Sequence, residues 1–396
     1  MAVRRDALPV VAAWTLVVGW SAWWAWGTWS VSGLSWHFFA DGSQLLVDGS
    51  GLNLYADHPE LQTGPLSLAL AALLLPLPAI VAQSVALVAM AAAGPLLLTA
   101  LAPLVAPQRR RRRMLVAALL LTPAWTVLSV RWGHLDDVLA MTAAIAALRA
   151  VCADRPVLAG TALAAAVACK PWAIGFLPLL LVLPHQRLRA MVTTAAGTLA
   201  AWGPFLAANS GTLRALHPPV GLTPASGLHA LGVRGQTIPP WGRATQLVLA
   251  PMAALAASLT SRWEGVLLVA VAVRLSLDPQ DNAYYIGSAV LAAAVFDLLR
   301  TCWTIPWTTL VTVIVLWQPF VHDYARRLHT TTGLTHWWFA HQAAVGRLHL
   351  TWSLLAVALV VAMPRSPGAQ HSQNAAEVLT PPDQTPGSGR SRRWAT

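Results

Sequence analysis

The sequence predicts an all-α, polytopic membrane protein, and three observations carry that prediction. Of 396 residues, 56% are hydrophobic and only 10% are charged, against roughly 45–50% and about 25% in soluble domains. Apolar runs of Ala, Leu and Val recur along the chain between short polar breaks, more apolar surface than one or two soluble cores could hide. The cations are unevenly placed: five consecutive arginines in "QRRRRRM" mark a cytoplasmic loop, because Lys and Arg are enriched on that side.

Each span follows from that marker. Arg4 and Arg5 precede about two dozen mostly apolar residues, longer than a signal-peptide core of about 7–15 residues. Residues 8–30 therefore read as a retained signal-anchor leading outward. One kinked segment within 65–105 returns, its first part, up to Pro78, lying at the outer surface. Residues 115–130 go out and 138–151 come back. The run 157–183 is too long for one span and is broken at Lys170-Pro171, since proline removes a backbone donor and disfavours helix at the preceding residue. Two short arms meeting outside at Lys170 are expected, with "HQRLR" back inside. Residues 190–208 go out, 209–243 form a Gly/Pro-rich outer loop, and spans follow at 244–259, 266–277, 284–299 and 303–317. Residues 319–347 form a second outer loop and 350–363 the last span. A membrane domain over 1–363 and a disordered cytoplasmic tail over 364–396, rich in Pro, Ser and Gly, complete the organisation. Both termini fall on the cytoplasmic side of the plasma membrane.

This arrangement, built on the cations, also sorts the acids and histidines. Seventeen of the 26 Lys and Arg fall inside, nine of the 15 acids and ten of the 12 histidines outside, so the inner side carries the whole net charge of +11. That distribution points to a bilayer and not to nucleic acid. Cys152, Cys169 and Cys302 lack CxxC spacing, which indicates neither a disulfide framework nor a zinc site.

The outer side gathers the residues that could do chemistry. In the first loop, Asp41 and Asp57 are candidate general bases for an acceptor hydroxyl, with His58, Glu60 and Gln62 as acceptor-binding groups. Asp41 could instead cap a short surface helix, and Asp48 in "DGSG" reads as a turn. In "RWGHLDD", Arg131 and His134 could bind phosphate oxygens, while Asp136 faces a cavity and Asp137 caps the helix it begins. Lys170, the one lysine beside 25 arginines, lies between apolar arms where an uncompensated ammonium is costly; a phosphate would supply its partner, and snorkelling to headgroups is the alternative. "RLSLDPQDNAYY" adds Asp278, Asp281, Tyr284 and Tyr285, and "FVHDYARRLHTTTGLTHWWFAHQ" could hold a polar lipid head.

Together these loops resemble the GT-C membrane glycosyltransferases, in particular the polyprenol-phosphate-mannose-dependent family 87. Over roughly residues 8–300, Gly133-His134-Leu135-Asp136 is similar to the family's Gly-Gln-x-Asn, Gly160 through Lys170-Pro171 to its "G-x-A…K" hairpin, and Asp278-Pro279 through Tyr284-Tyr285 to its "S-P-I-S-W-x-H-H". Phe39 to Gly42 with Leu54-Tyr55 is similar to its acceptor-side loop. The family's catalytic Asp falls at about Ser35, six residues before Asp41. Tyr284-Tyr285 stand where it has a His pair, and Asp136 where it has Asn. The resemblance implies a GT-C-like bundle of about 10–12 transmembrane helices with an extracytoplasmic active-site cavity. It also implies inverting transfer of a sugar, mannose or arabinose, from a polyprenyl-phosphate donor to a glycolipid or polysaccharide acceptor. On this expectation Lys170, Arg131 and His134 hold the donor phosphate and Asp41 takes the proton. A lipid monophosphate leaving group requires no cofactor and no metal, although the Asp pairs leave a divalent cation possible. The rival classes are a lipid transporter or flippase, which usually shows internal repeats and midplane charges, and a non-catalytic envelope assembly subunit.

Overall fold

The computed structural model describes residues 3–107, 110–216, 220–319 and 333–363. Among these residues the only regular elements are helices, joined by turns and loops, with one isolated antiparallel bridge, Gly221 to Thr237. Residues 320–332, with Asp323, Arg326 and Arg327, and the tail 364–396 lie outside the described residues.

The chain begins with α1 (Val3–Trp29), α2 (Trp36–Asp48), α3 (Leu54–Asp57), α4 (Pro65–Ala72) and α5 (Ala79–Leu101). It continues through α6 (Arg110–Thr126), α7 (Leu135–Cys152), α8 (Pro156–Cys169), α9 (Arg187–Ala208) and α10 (Gly227–Ala230). The rest is α11 (Pro240–Leu259), α12 (Val266–Ser276), α13 (Tyr285–Arg300), α14 (Trp307–Leu316), α15 (Gly333–Ala340) and α16 (Gln342–Ala362). Among the described residues, four segments are long and apolar enough to cross a bilayer: Ala79–Leu104, Arg110–Arg131, Arg187–Ala208 and Gln342–Ala362.

Local sequence explains most boundaries. Pro65, Pro156 and Pro240 each open a helix at its first position, where the missing N–H would be unpaired anyway. Lys170 is extended, φ −149° and ψ 116°, as a residue before proline prefers. The chain then winds a 3-10 helix over Pro171–Val182, much longer than the usual three or four residues. The break expected at Lys170-Pro171 is present, with two arms on either side. A short helix also precedes Pro78: α4 ends at Ala72, and α5 starts after that proline.

Several expected limits move. The segment 319–347, expected as a loop, is partly helical, because α15 and α16 begin within it. The stretch 342–349, free of proline, extends the last helix by about two turns of ~3.6 residues, back to Gln342. The loop 209–243 carries a 3-10 helix over Ser210–Leu216 and the short α10, and α11 starts four residues before residue 244.

Helices α12 and α13 form the centre, with Tyr285 through Leu298 buried without interruption. At one end of the bundle the Arg113 guanidinium donates to the carbonyls of Asp297, Leu298 and Thr301 at the end of α13, a cation at the negative pole of a helix. At the other end, six helix termini meet: the ends of α6, α8 and α12 and the starts of α7, α11 and α13. The residues flagged by sequence lie there, opposite the arginine run.

Candidate functional site

Backbone hydrogen bonds set the frame of the site. The α1–α2 connection pairs with the α6–α7 connection through Gly33 N to Val130 O (2.9 Å) and Ser35 N to Trp132 O (2.7 Å). A π turn over Val127–Arg131 ends α6, a distortion common at functional sites. Gly133, at φ +62°, then reverses the chain in a conformation costly for any side chain, and His134 precedes α7. From the first loop, Tyr55 Oη donates to Thr63 O (2.8 Å), and Gly64 N donates to Cys169 O (2.8 Å). A Cβ at Gly64 would run into the carbonyls of Ala168 and Cys169, so glycine permits this approach beside Lys170. Burial first, and the nearby Asp136 charge second, push the Tyr55 hydroxyl well above the usual phenol range and keep it a neutral donor.

The charged groups form one network. Lys170 Nζ donates to Asp136 Oδ2 and lies 3.9 Å from Asp137 Oδ2. His134 Nδ1 sits 2.6 Å from Asp136 Oδ1 and 3.2 Å from Asp137 Oδ2. A ring nitrogen between two carboxylate oxygens carries the hydrogen, leaving Nε2 as the lone-pair nitrogen of the neutral ring. Burial opposes the imidazolium, but the Asp136 charge and the two carboxylate hydrogen bonds outweigh burial and Lys170, raising His134 above its ordinary 6.5. Asp137 Oδ1 accepts from Trp172 Nε1 (3.1 Å) and lies 3.5 Å from Arg274.

Arg274 links this cluster to the second. Its guanidinium lies 4.3 Å from the Trp172 ring and 4.4 Å from the Tyr285 ring, a two-sided cation–π clamp. Its Nε is 3.9 Å from Asp278 Oδ2, one turn along the chain. Asp278 also accepts from Tyr285 Oη (3.1 Å) and Gln280 N (3.1 Å), and it lies 3.8 Å from Arg243. Arg243 in turn donates to Gln62 (3.0 Å) and Gln246 (2.9 Å). Tyr284 stacks on His134, with ring centroids 3.8 Å apart. Three carboxylates and three cations thus balance, with His134 as the group that can change charge.

Beside this network lies a cavity of about 270 Å³ whose walls include Phe39, Trp132, His134, Lys170, Arg243 and Tyr284. A smaller space of about 80 Å³ shares Lys170, Arg243, Gln62 and both tyrosines and reaches Arg274. His134, Asp136 and Asp137 offer ligand atoms within 4.8 Å of one another, a set that could hold a cation. The Lys170 ammonium already stands on Asp136, so an internal cation meets that charge.

The sequence expectations fare unevenly. Lys170, His134, Asp136, Asp278, Tyr284 and Tyr285 come together, and Glu60 and Gln62 line the cavity. Asp137 is not an exposed cap: it is 1% exposed and inside the network. Lys170 does not lack a protein partner, since the neighbouring helix brings Asp136 to it. Arg131 is buried and donates to Val31 O, and it is not among the residues lining the cavity. Asp41 and Asp57 are exposed and line neither space; Asp41 lies inside α2, which Ser35 precedes, and does not cap it. His58 pairs with Glu60 at 3.3 Å on the surface. Asp281 turns to His349 Nδ1 at 3.2 Å. Sequence reasoning did not single out Arg243, Gln246, Arg274 or Trp172. Arg274 carried a signal, an arginine in an apolar run four residues before Asp278, and Trp172 follows Lys170-Pro171.

Comparison with protein-family models, with curated proteins and with solved structures finds no match to this chain.

Proposed function

We propose that the protein is an integral membrane glycosyltransferase that moves a sugar from a polyprenyl-phosphate donor to a lipid or polysaccharide hydroxyl, at the membrane face opposite the arginine run. One observation carries this reading: Lys170, Arg243 and His134, far apart in sequence, line one aromatic-walled cavity of about 270 Å³. That is near the lower limit of ordinary ligand cavities, about 300 Å³, and suits one sugar ring with its phosphate. Fixed cations beside a leaving phosphate stabilise the charge it gains, and aromatic faces suit the apolar side of a sugar.

The step forms a bond between the acceptor oxygen and the anomeric carbon. The bond from that carbon to the phosphate oxygen breaks, and its electron pair leaves with the phosphate. The acceptor proton goes to His134 Nε2, while Asp136 and Asp137 hold Nδ1 and offset the imidazolium. His134 replaces Asp41 as the base in this proposal because it lines the cavity and Asp41 does not. Lys170 and Arg243 face the phosphate, and Arg274, clamped between two rings, keeps Asp137 and Asp278 in place. The bundle of about 10–12 crossings and the extracytoplasmic placement belong to the same proposal; they draw on the four long apolar segments and on the arginine run.

Purified protein incubated with radiolabelled polyprenyl-phosphate mannose or arabinose and a membrane lipid extract should form a labelled glycolipid or glycan. Movement of the donor between vesicles without product would replace transfer by transport.

A further inference from the structure

The other end of the bundle holds a second cavity, of about 400 Å³, between α1, α5 and α6. Its walls are apolar, including Trp14, Val17, Leu98, Met114 and Ala118, and its mouth carries Arg110 and Arg111. Among the described side chains, no acidic residue lines it. Val17, Pro95, Leu98 and Ala118 also border a separate void towards Trp125 and Thr126, of only about 20 Å³, so the groove itself closes near Ala118. Pro95 lies inside α5, where it removes a backbone bond and crowds the preceding turn, and it borders both spaces. On α6 the groove runs from Arg110 to Ala118, a rise of about 12 Å at ~1.5 Å per residue, room for the headgroup-proximal part of one acyl chain. Arg110 Nε is held on the Val105 carbonyl (2.9 Å), which fixes its guanidinium at the mouth, and Arg111 is exposed.

We infer that this groove is a binding site for one anionic glycerophospholipid, with the headgroup-proximal part of a single acyl chain between α1, α5 and α6 and the phosphate on Arg110 and Arg111. The charge pattern selects this occupant. An apolar groove open to lipid gains little by exchanging one hydrocarbon for another, because no hydrophobic driving force acts inside a bilayer. Discrimination therefore falls to the headgroup, where each basic residue near an anionic surface contributes about 1 kcal/mol, roughly fivefold in affinity. The site lies a full helix length from the His134 chamber, so its occupant is distinct from any sugar donor bound there.

Native mass spectrometry of the full chain released from nanodiscs, titrated with dioleoyl phosphatidylglycerol or dioleoyl phosphatidylcholine, tests the inference. The wild-type chain should retain one phosphatidylglycerol at concentrations where phosphatidylcholine is lost. R111Q should weaken phosphatidylglycerol retention by roughly fivefold and R110Q/R111Q by more than tenfold, with phosphatidylcholine unchanged. A13F, which fills the half-buried wall of the groove, should abolish the retained lipid with both arginines in place. An unchanged preference in R110Q/R111Q would overturn the inference, as would retention in a correctly inserted A13F chain. Displacement of phosphatidylglycerol by an equimolar polyprenyl monophosphate would also overturn it, by assigning the groove to a prenyl chain.

Discussion

At the scale of the residue, the Lys170–Asp136 pair decides most. A buried ion pair contributes little beyond a well-packed apolar pair, but removing one partner strands the other charge and costs about 3–5 kcal/mol. K170M should therefore lower the thermal midpoint of the purified protein strongly, and K170M/D136L should recover much of the loss. Donor binding should stay weak in both, which separates stability from function; a single K170M variant as stable as the wild type would contradict the pairing. His134 makes a second prediction. A neutral ring is needed to take a proton, so turnover should fall as pH drops through its raised value, placing the acid limb above 6.5. Asp136, Asp137, Lys170 and Tyr284 surround the ring. D137N, which removes one acceptor at Nδ1, should move that limb towards lower pH, and an unmoved limb would assign it to another group.

At the scale of the element, the break at Lys170 and the close approach of the first loop are one device. Gly64 bonds Cys169 O and leaves no space for a side chain, so the loop that brings Gln62 and Thr63 is pinned beside Lys170. G64A should force α4 away from the end of α8, lowering the thermal midpoint and weakening donor binding together. A variant with normal stability and normal donor binding would show that the approach has no such role. The break itself was legible, because Lys-Pro inside an apolar run leaves few backbone alternatives. So were most helix limits, which fall where apolar runs meet Pro, Gly or charge. Side-chain partners were not legible. Nothing in a single sequence says that residue 136 reaches residue 170, or that Arg274 settles between Trp172 and Tyr285, because those pairings depend on how separate helices pack. Asp41 illustrates the same limit: a carboxylate in the expected loop turns outward because its helix buries Trp36, Phe39 and Gly42 on the opposite side.

At the scale of the whole molecule, alternating helix direction brings the ends of α6, α8 and α12 to the starts of α7, α11 and α13. Charge is thereby concentrated at one end of the bundle in a balanced network, while the other end carries the arginine run and an apolar groove. On the proposed reading the chemistry lies at one membrane surface and the electrostatic anchor at the other. Cysteines introduced at Gln62 and Arg111, one at each end, should be labelled by a membrane-impermeant maleimide from opposite sides of oriented vesicles. Labelling of both from one side would reverse that organisation.

The proposed transfer depends on where the acceptor proton goes. The most direct measurement is sugar transfer from a polyprenyl-phosphate donor by H134N and D41N chains, compared with wild type in the same nanodiscs. Loss of a positioned base costs typically 10²–10⁴-fold. H134N should lose turnover on that scale with its thermal midpoint preserved to within a few degrees, while D41N turns over normally. Normal turnover by H134N together with an inactive D41N would move the reaction out of the chamber and contradict the account.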